Sequence, residues 1–106
     1  MPKTMHRIDP ARLRQAADEA VGALKVMANE DRLLLLCQLS QGESCVGDLE
    51  EALDIHQPTL SQQLGVLRTE GVVTTRRDGK RIYYSVSDPN LMEILKLMYR
   101  LYCPKE

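Results

Sequence analysis

The hydrophobic pattern from 57 to 86 predicts an amphipathic helix followed directly by a two-stranded hairpin. Three apolar positions recur at helical spacing and would dock one face on a core: Leu60, Leu64 and Leu67. Pro58 suits a first helical position, where its missing N–H is not needed, and Gly71 supplies a stop, so we expect a helix over 58–70.

The hairpin is predicted from two β-prone runs, 72–77 and 80–86, on either side of Asp78-Gly79. An Asp-Gly pair between such runs predicts a two-residue turn in which both central residues have positive φ. Four of the five basic residues of the whole stretch lie close to this tip.

The outward side of the helix is polar, because Gln62 points directly away from the leucines, with Thr59 and Ser61 beside it and Gln63 nearer the rim. Hydroxyl and amide groups hydrogen-bond both phosphates and base edges, and amides favour adenine. Together with the basic tip, this face predicts DNA binding through ten residues: Gln57, Thr59, Ser61, Gln62, Gln63, Arg68, Arg76, Arg77, Lys80 and Arg81.

A charged hairpin tip also has a plainer interpretation, since it improves solubility and discourages strand pairing at the edge. Its position directly after an outward Thr-x-Ser-Gln-Gln helix favours the DNA interpretation, because a phosphate backbone relieves the repulsion among the tip cations. Winged-helix modules that bind only proteins generally lack such a wing, but they remain an alternative function.

The rest of the chain predicts four more elements around this unit. Residues 1–8 would be a flexible arm, and 9–106 a single domain. The expected helices span 10–27, 30–40, 45–53 and 89–103, capped in turn by Asp9, Asn29, Ser44 and Asp88. A short helix, a turn at 54–57 and the polar-faced helix form a helix-turn-helix. The fold class is therefore mainly α with a β-hairpin wing, in the order α-α-α-α-β-β-α.

The first and last predicted helices each carry an apolar stripe. Either these stripes pack on their own domain, or they form a two-fold homodimer that spaces two recognition helices about one DNA turn apart. A chain of 106 residues, 43% of them hydrophobic and none of them Trp or Phe, has room for one modest aliphatic core, which a dimer would support.

The net charge of −1 is unevenly distributed along the chain. Residues 1–54 contain six basic and ten acidic side chains, whereas 55–86 contain five and two. A local basic face on an acidic body fits a DNA-binding protein and discourages indiscriminate binding. With two histidines, no suggestion of a catalytic triad and no glycine-rich phosphate loop after a strand, the sequence argues against an enzyme and calls for no cofactor.

No apolar run is long enough for a membrane span and the N-terminus has no signal-peptide core, so the sequence predicts a cytoplasmic protein without a membrane partner. Three cysteines are an odd number in a reducing compartment, which argues against a structural disulfide framework. They are therefore core residues or sensors.

Over nearly its whole length the chain resembles the ArsR/SmtB family of bacterial winged-helix repressors. The matching phrases are LKVMANEDRL at 24–33, SCVGDL at 44–49, LSQQL at 60–64 with Leu67-Arg68 and Gly71, and Arg81-x-Tyr83-Tyr84. The resemblance implies a homodimer that occupies operator DNA and leaves it when an inducer binds or modifies the protein.

Many members of that family sense metals, through a Cys-x-Cys in the third helix or through Asp, His and Glu ligands in the last helix. Here Cys45 is present but Gly47 takes the second thiolate position, and Asn90 stands where a His is expected after Asp88. Even with His6 from the arm, two ligands are too few for a stable zinc site. We therefore expect no metal, although a metal-responsive repressor using Cys45 remains the alternative.

A second branch of the family senses thiol modification. Cys37 and Cys103 stand where the persulfide-responsive BigR/SqrR type, related to the HlyU type, carries its two reactive cysteines. The resemblance implies that reactive sulfur species or oxidants join these thiols, by a disulfide or a longer sulfur bridge, and lower operator affinity. From the residues alone, the leucines around Cys37 predict that it is a buried core residue. Cys45 is a possible third thiol.

Overall fold

The structure is a computed structural model and describes residues 9–104; the predicted arm at 1–8 lies outside them. It contains five helices and three strands within that range. In chain order they are α1 Pro10–Met27, α2 Glu30–Leu39, β1 Ser44–Cys45, α3 Val46–Leu53, α4 Thr59–Thr69, β2 Val73–Asp78, β3 Arg81–Val86 and α5 Pro89–Tyr102. The strands form one antiparallel sheet in the order β1-β3-β2. The predicted winged helix-turn-helix fold is confirmed.

Helix α2 lies at the centre, in contact with α1, α3, α4, α5 and β3. The core is aliphatic and mostly leucine, as expected for a sequence without Phe or Trp. Nine leucine side chains are fully buried: Leu35, Leu36, Leu39, Leu49, Leu60, Leu64, Leu67, Leu91 and Leu95. Burying a leucine contributes about 1.5–3 kcal/mol before the cost in conformational entropy, so this cluster is a main source of stability for the domain.

Two predicted helix caps are confirmed. The Asn29 side chain accepts a hydrogen bond from the backbone N–H of Arg32, and Asp88 accepts from the N–H groups of Asn90 and Leu91. Asp9 occupies the expected cap position of α1 but makes no side-chain cap bond there. The predicted helical ends agree with the structure to within one residue.

The predicted cap at Ser44 is wrong. Ser44 and Cys45 form β1 and pair with Tyr84 and Tyr83 of β3, so α3 begins one residue later, at Val46. No hydrophobic pattern in the sequence indicates this two-residue strand, because it forms only by pairing with β3 of the wing. It fixes the start of the helix-turn-helix against the base of the wing.

Two further details of the predicted interface unit need correction. Helix α4 begins at Thr59, with Pro58 as its N-cap residue. The hairpin turn consists of Gly79-Lys80, since Asp78 pairs with Arg81 in the sheet. Only Gly79 has positive φ, at 63°, which is the type II′ pattern with glycine at the first central position. Moving the turn by one residue places Lys80 at the tip.

Helices α1 and α5 both expose apolar side chains. On α1, Leu13 and Leu24 are more than half exposed, and only Val26 and Met27 at its end are buried. On α5, Leu91 and Leu95 face the core while Leu101 and Tyr102 face outward. None of the helices described in 9–104 is long and apolar enough to cross a membrane.

Candidate nucleic-acid interface and thiol groove

The recognition helix α4 is held by its leucines and by the turn before it. Leu60, Leu64 and Leu67 are at most 2% exposed, which confirms the face predicted from their spacing. The turn begins at Asp54, whose φ of 56° ends α3 in the left-handed conformation that Asp tolerates. Helices α3 and α4 thus form the two arms of a helix-turn-helix.

The outward side of α4 carries the predicted polar residues. Ser61, Gln62 and Arg68 are exposed, whereas Thr59 is half-buried. Gln57 has a structural contact in addition, because its side-chain oxygen accepts a hydrogen bond from the backbone N–H of Ser61 at 3.0 Å. Gln57 therefore supplies the cap that Pro58 cannot, and it satisfies a donor at the start of the recognition helix.

Gln63 is turned toward the body of the protein. It is half-buried, and its side-chain oxygen accepts a hydrogen bond from Nη1 of Arg32 at 3.1 Å. The Arg32 Nε donates to the carbonyl of Val26 at 2.8 Å and Nη2 donates to that of Lys25 at 3.1 Å. One guanidinium thus connects the end of α1, the start of α2 and the recognition helix.

The sequence interpretation did not single out Arg32, although a signal exists. A cation in the first turn of a helix opposes the macrodipole, so its presence there indicates a specific partner. Arg32 stands three residues after the Asn29 cap, and two of its partners are carbonyls in the last turn of α1, where backbone acceptors have few intrahelical donors.

The wing presents two kinds of basic residue. Arg77, Lys80 and Arg81 are exposed and make no ion pair with any residue of 9–104. Arg76 is different, because its guanidinium donates to both carboxylate oxygens of Glu43 and lies 4.6 Å from the centroid of the Tyr83 ring. The hydrogen bond from Arg76 lowers the pKa of Glu43. Arg77, Lys80 and Arg81 are available to a phosphate without breaking an ion pair, although a side-chain hydrogen bond with Tyr83 raises the pKa of Arg81.

We expect Glu43→Gln to tighten DNA binding, because it releases Arg76 from its intramolecular partner. One additional phosphate contact per wing steepens the slope of log affinity against log salt by about 0.9. Fluorescence anisotropy on operator DNA over a salt series measures both quantities. Glu19→Gln, on the exposed side of α1, matches the charge change. An equal effect of both variants would contradict a specific role for the Glu43 contact.

His56 adds a titratable group in the helix-turn-helix turn. Its Nδ1 lies 3.3 Å from Glu50 and its Nε2 lies 2.6 Å from Asp54, and these two hydrogen-bonded carboxylates raise the pKa of His56. His56 is exposed, and its carbonyl accepts the N–H of Leu60 at the start of α4. The imidazole therefore connects the end of α3 with the turn, and it becomes cationic more readily than an isolated histidine.

Cys37 and Cys103 line the same groove between α2 and α5. The groove has a volume of about 410 Å³, and Leu33, Leu34, Met98 and Tyr102 form its apolar walls. Burial raises the pKa of the Cys37 thiol, and the neighbouring Cys103 raises it further. The two cysteines that are 66 positions apart in sequence are thus neighbours in the fold.

The raised pKa of Cys37 has a direct kinetic consequence. Because the thiolate is the nucleophile, alkylation of Cys37 in a Cys45→Ser/Cys103→Ser variant should increase with pH to a midpoint above that of the same cysteine in the unfolded protein, since burial raises its pKa. Burial, the larger cause, persists in this variant. Iodoacetamide kinetics followed by mass spectrometry give the midpoint, and the urea-unfolded protein is the reference. A folded-state midpoint at or below that of the unfolded protein would show that burial does not control this thiol.

Cys45 lies away from this groove. It is 7% exposed, at the N-cap position of α3, and it borders a surface cavity of about 470 Å³ that Lys80 and Arg81 also line. Within 9–104, no group of three or more His, Cys, Asp or Glu side chains is arranged to hold a metal ion. His6, the other suggested ligand, lies outside the described residues.

The fold and the polar, basic surface of α4 and the wing define the class of winged-helix DNA-binding proteins. Residues 29–75 match the model of the bacterial regulatory protein arsR family. A biofilm growth-associated repressor of Agrobacterium fabrum is 46% identical over 97 residues, which are 92% of this chain and 82% of the relative. The transcriptional activator HlyU of Vibrio cholerae is 42% identical over 80% of this chain and 79% of its own length.

Solved structures agree with this assignment. The crystal structure of the transcriptional repressor BigR from Xylella fastidiosa superposes with a TM-score of 0.82 at 39% identity, over 92% of this chain and 100% of that one. The chain belongs to the ArsR family of bacterial transcription regulators. Its relatives are DNA-binding regulators rather than enzymes, in agreement with the function class predicted from the sequence.

Proposed function

We propose that this protein is a homodimeric transcriptional repressor that releases its operator when a sulfur bridge joins Cys37 and Cys103. The observation that carries the proposal is the shared groove, in which the two thiols from α2 and α5 face one small space. A bridge, whether a disulfide or a chain with additional sulfur atoms, would tie these helices together. Repression is the action named for the relatives from Agrobacterium and Xylella.

The DNA-binding part of the proposal rests on the outward residues of α4 and on the unpaired cations of the wing. Ser61 and Gln62 supply hydrogen bonds to base edges, while Arg68 and the wing supply phosphate contacts. Gln57 and Gln63 contribute to DNA binding indirectly, because each uses its side-chain oxygen to position the recognition helix. A protein that acts on operator DNA in this way works in the cytoplasm.

The dimer would form through the exposed apolar faces of α1 and α5. Leu13 and Leu24 on the first helix and Leu101 and Tyr102 on the last are large side chains at least half exposed on a single chain. Burying such faces in a two-fold interface stabilises a domain of this size and places two α4 helices on one side of the DNA.

Helix α2 offers a route from the thiols to the recognition helix. Cys37 lies on α2 five residues after Arg32, whose guanidinium holds Gln63 of α4. A bridge that pulls α2 toward α5 would therefore act on an element that also positions the DNA-reading surface. The proposed coupling therefore runs from Cys37 along α2 to Arg32, and from Arg32 through a hydrogen bond to Gln63 of α4.

A persulfide donor should release the wild-type protein from operator DNA, whereas Cys37→Ser and Cys103→Ser should stay bound, because neither can form the bridge. Cys45→Ser is the matched control and should respond like the wild type. Anisotropy gives the bound fraction, and mass spectrometry counts the added sulfur atoms. Release of both serine variants, or release of the wild type by low zinc concentrations, would refute the thiol assignment.

A further inference from the structure

The groove that holds Cys37 and Cys103 is nearly all apolar apart from the thiols. Its walls are two leucines of α2, Leu33 and Leu34, and two side chains of α5, Met98 and Tyr102. Glu30, at the start of α2, is the one charged residue that lines it within 9–104. A reagent that approaches both thiols must therefore place its substituents against hydrocarbon.

Such a surface discriminates among polysulfide reagents by their substituents. Moving an ammonium or carboxylate group into an apolar groove removes hydration that no partner here replaces, except for Glu30 with a cation. Alkyl groups gain by the same contact, roughly fourfold in affinity for each methylene removed from water. A dialkyl reagent thus becomes concentrated at the thiols, whereas a doubly charged reagent of the same length is disfavoured there.

We propose that the groove makes uncharged organic polysulfanes, of the type R–S–S–S–R with alkyl R, the preferred reagents that oxidise the Cys37 and Cys103 pair to a bridge. This inference rests on the proposed thiol switch and adds the chemical class of its substrate. The apolar walls bind the two R groups and hold the sulfur chain between the two cysteines.

The reaction balances without another oxidant. The Cys103 thiolate attacks a terminal sulfur of the trisulfide, forms the mixed disulfide Cys103 Sγ–S–R and expels R–S–S⁻. The Cys37 thiolate then attacks the Cys103 sulfur, forms the Cys37–Cys103 disulfide and expels R–S⁻. Two thiols and R–S–S–S–R give one protein disulfide, R–SH and R–S–SH. The raised pKa of Cys37 favours Cys103 as the first nucleophile.

The test compares three trisulfides of similar length: dipropyl, bis(2-carboxyethyl) and bis(2-aminoethyl) trisulfide. Mass spectrometry gives the rate of Cys37–Cys103 bridging in the full-length Cys45→Ser protein, and each rate is divided by that of N-acetylcysteine methylamide with the same reagent. We expect the normalised rate for the dipropyl reagent to exceed both others by at least about tenfold. Equal ratios, or a preference for either charged reagent, would overturn the inference.

A pair of variants locates the selectivity in the groove. Leu34 is 40% exposed and lines the groove, whereas Leu97 is 45% exposed and lies outside it. Leu34→Gln should reduce the preference at least threefold and Leu97→Gln should leave it unchanged; equal effects would contradict the assignment. Because the readout is bridging and not DNA release, selective bridging without release would refute the proposed switch alone.

Discussion

Replacing the three wing cations that form no ion pair within 9–104, in an Arg77→Gln/Lys80→Gln/Arg81→Gln variant, is expected to weaken operator binding roughly 100-fold for each wing near 0.1 M salt, at about 1 kcal/mol for each lost contact. For a dimer with both wings on the DNA, the expected loss is about 10⁴-fold. All three side chains are exposed and lie in or next to the turn at the tip of the wing. The slope of log affinity against log salt should also become shallower by about 2.7 per wing.

The control for this variant removes three positive charges elsewhere, in Arg12→Gln/Arg14→Gln/Lys96→Gln, whose residues lie exposed on α1 and α5. Its salt slope should remain close to that of the wild type, because a general change of net charge does not replace contacts at the interface. Anisotropy at five or more salt concentrations measures both slopes. A wing variant that binds with the wild-type slope would show that the wing does not touch phosphate.

Arg32→Met is expected to produce the second large effect. The change keeps the length of the aliphatic stem and removes the donors to Val26, Lys25 and Gln63. We expect the free energy of unfolding to decrease by about 2 kcal/mol and operator affinity to decrease about tenfold at a temperature where the variant is fully folded. Urea denaturation and anisotropy measure these two quantities separately.

A double-mutant cycle with Gln63→Ala distinguishes positioning of α4 from general destabilisation. If Arg32 acts on DNA binding through Gln63, the double variant should lose little more operator affinity than Arg32→Met alone, with a coupling of about 0.5–1.4 kcal/mol, the upper value being the whole tenfold loss. Arg68→Met, which removes an exposed cation of α4, should instead add its effect in full. If the losses of operator affinity in Arg32→Met and Gln63→Ala add in full, the hydrogen bond between Arg32 and Gln63 does not contribute to DNA binding.

The fold could be predicted from local patterns because its main elements carry their own signals. The leucines of α4 repeat with helical period, and Asn29 and Asp88 cap the helices that follow them. The short strand β1 could not be predicted in this way, since Ser44 and Cys45 adopt it only by pairing with β3. The register of the hairpin likewise depends on the pairing of both strands, which is why the observed turn lies one residue after the predicted one.

The surface of the site was predicted better than its internal contacts. The sequence placed Gln62 outward and the basic residues on the wing, and the structure agrees. The sequence predicted that Gln63 and Arg76 contact DNA like the residues beside them. In the structure Gln63 accepts a hydrogen bond from Arg32, 31 positions away, and Arg76 donates to Glu43, 33 positions away. Such contacts join separate elements, so no local pattern indicates them. The apolar groove around the thiols is likewise created only when α2 and α5 meet.

The most direct test of the central claim is the operator dissociation constant of one Cys45→Ser sample, measured reduced, bridged and reduced again. Mass spectrometry should confirm the Cys37–Cys103 bond in the bridged state. We expect bridging to raise the dissociation constant at least tenfold, and reduction to restore the first value. A fully bridged protein that binds the operator as tightly as the reduced one would contradict the account.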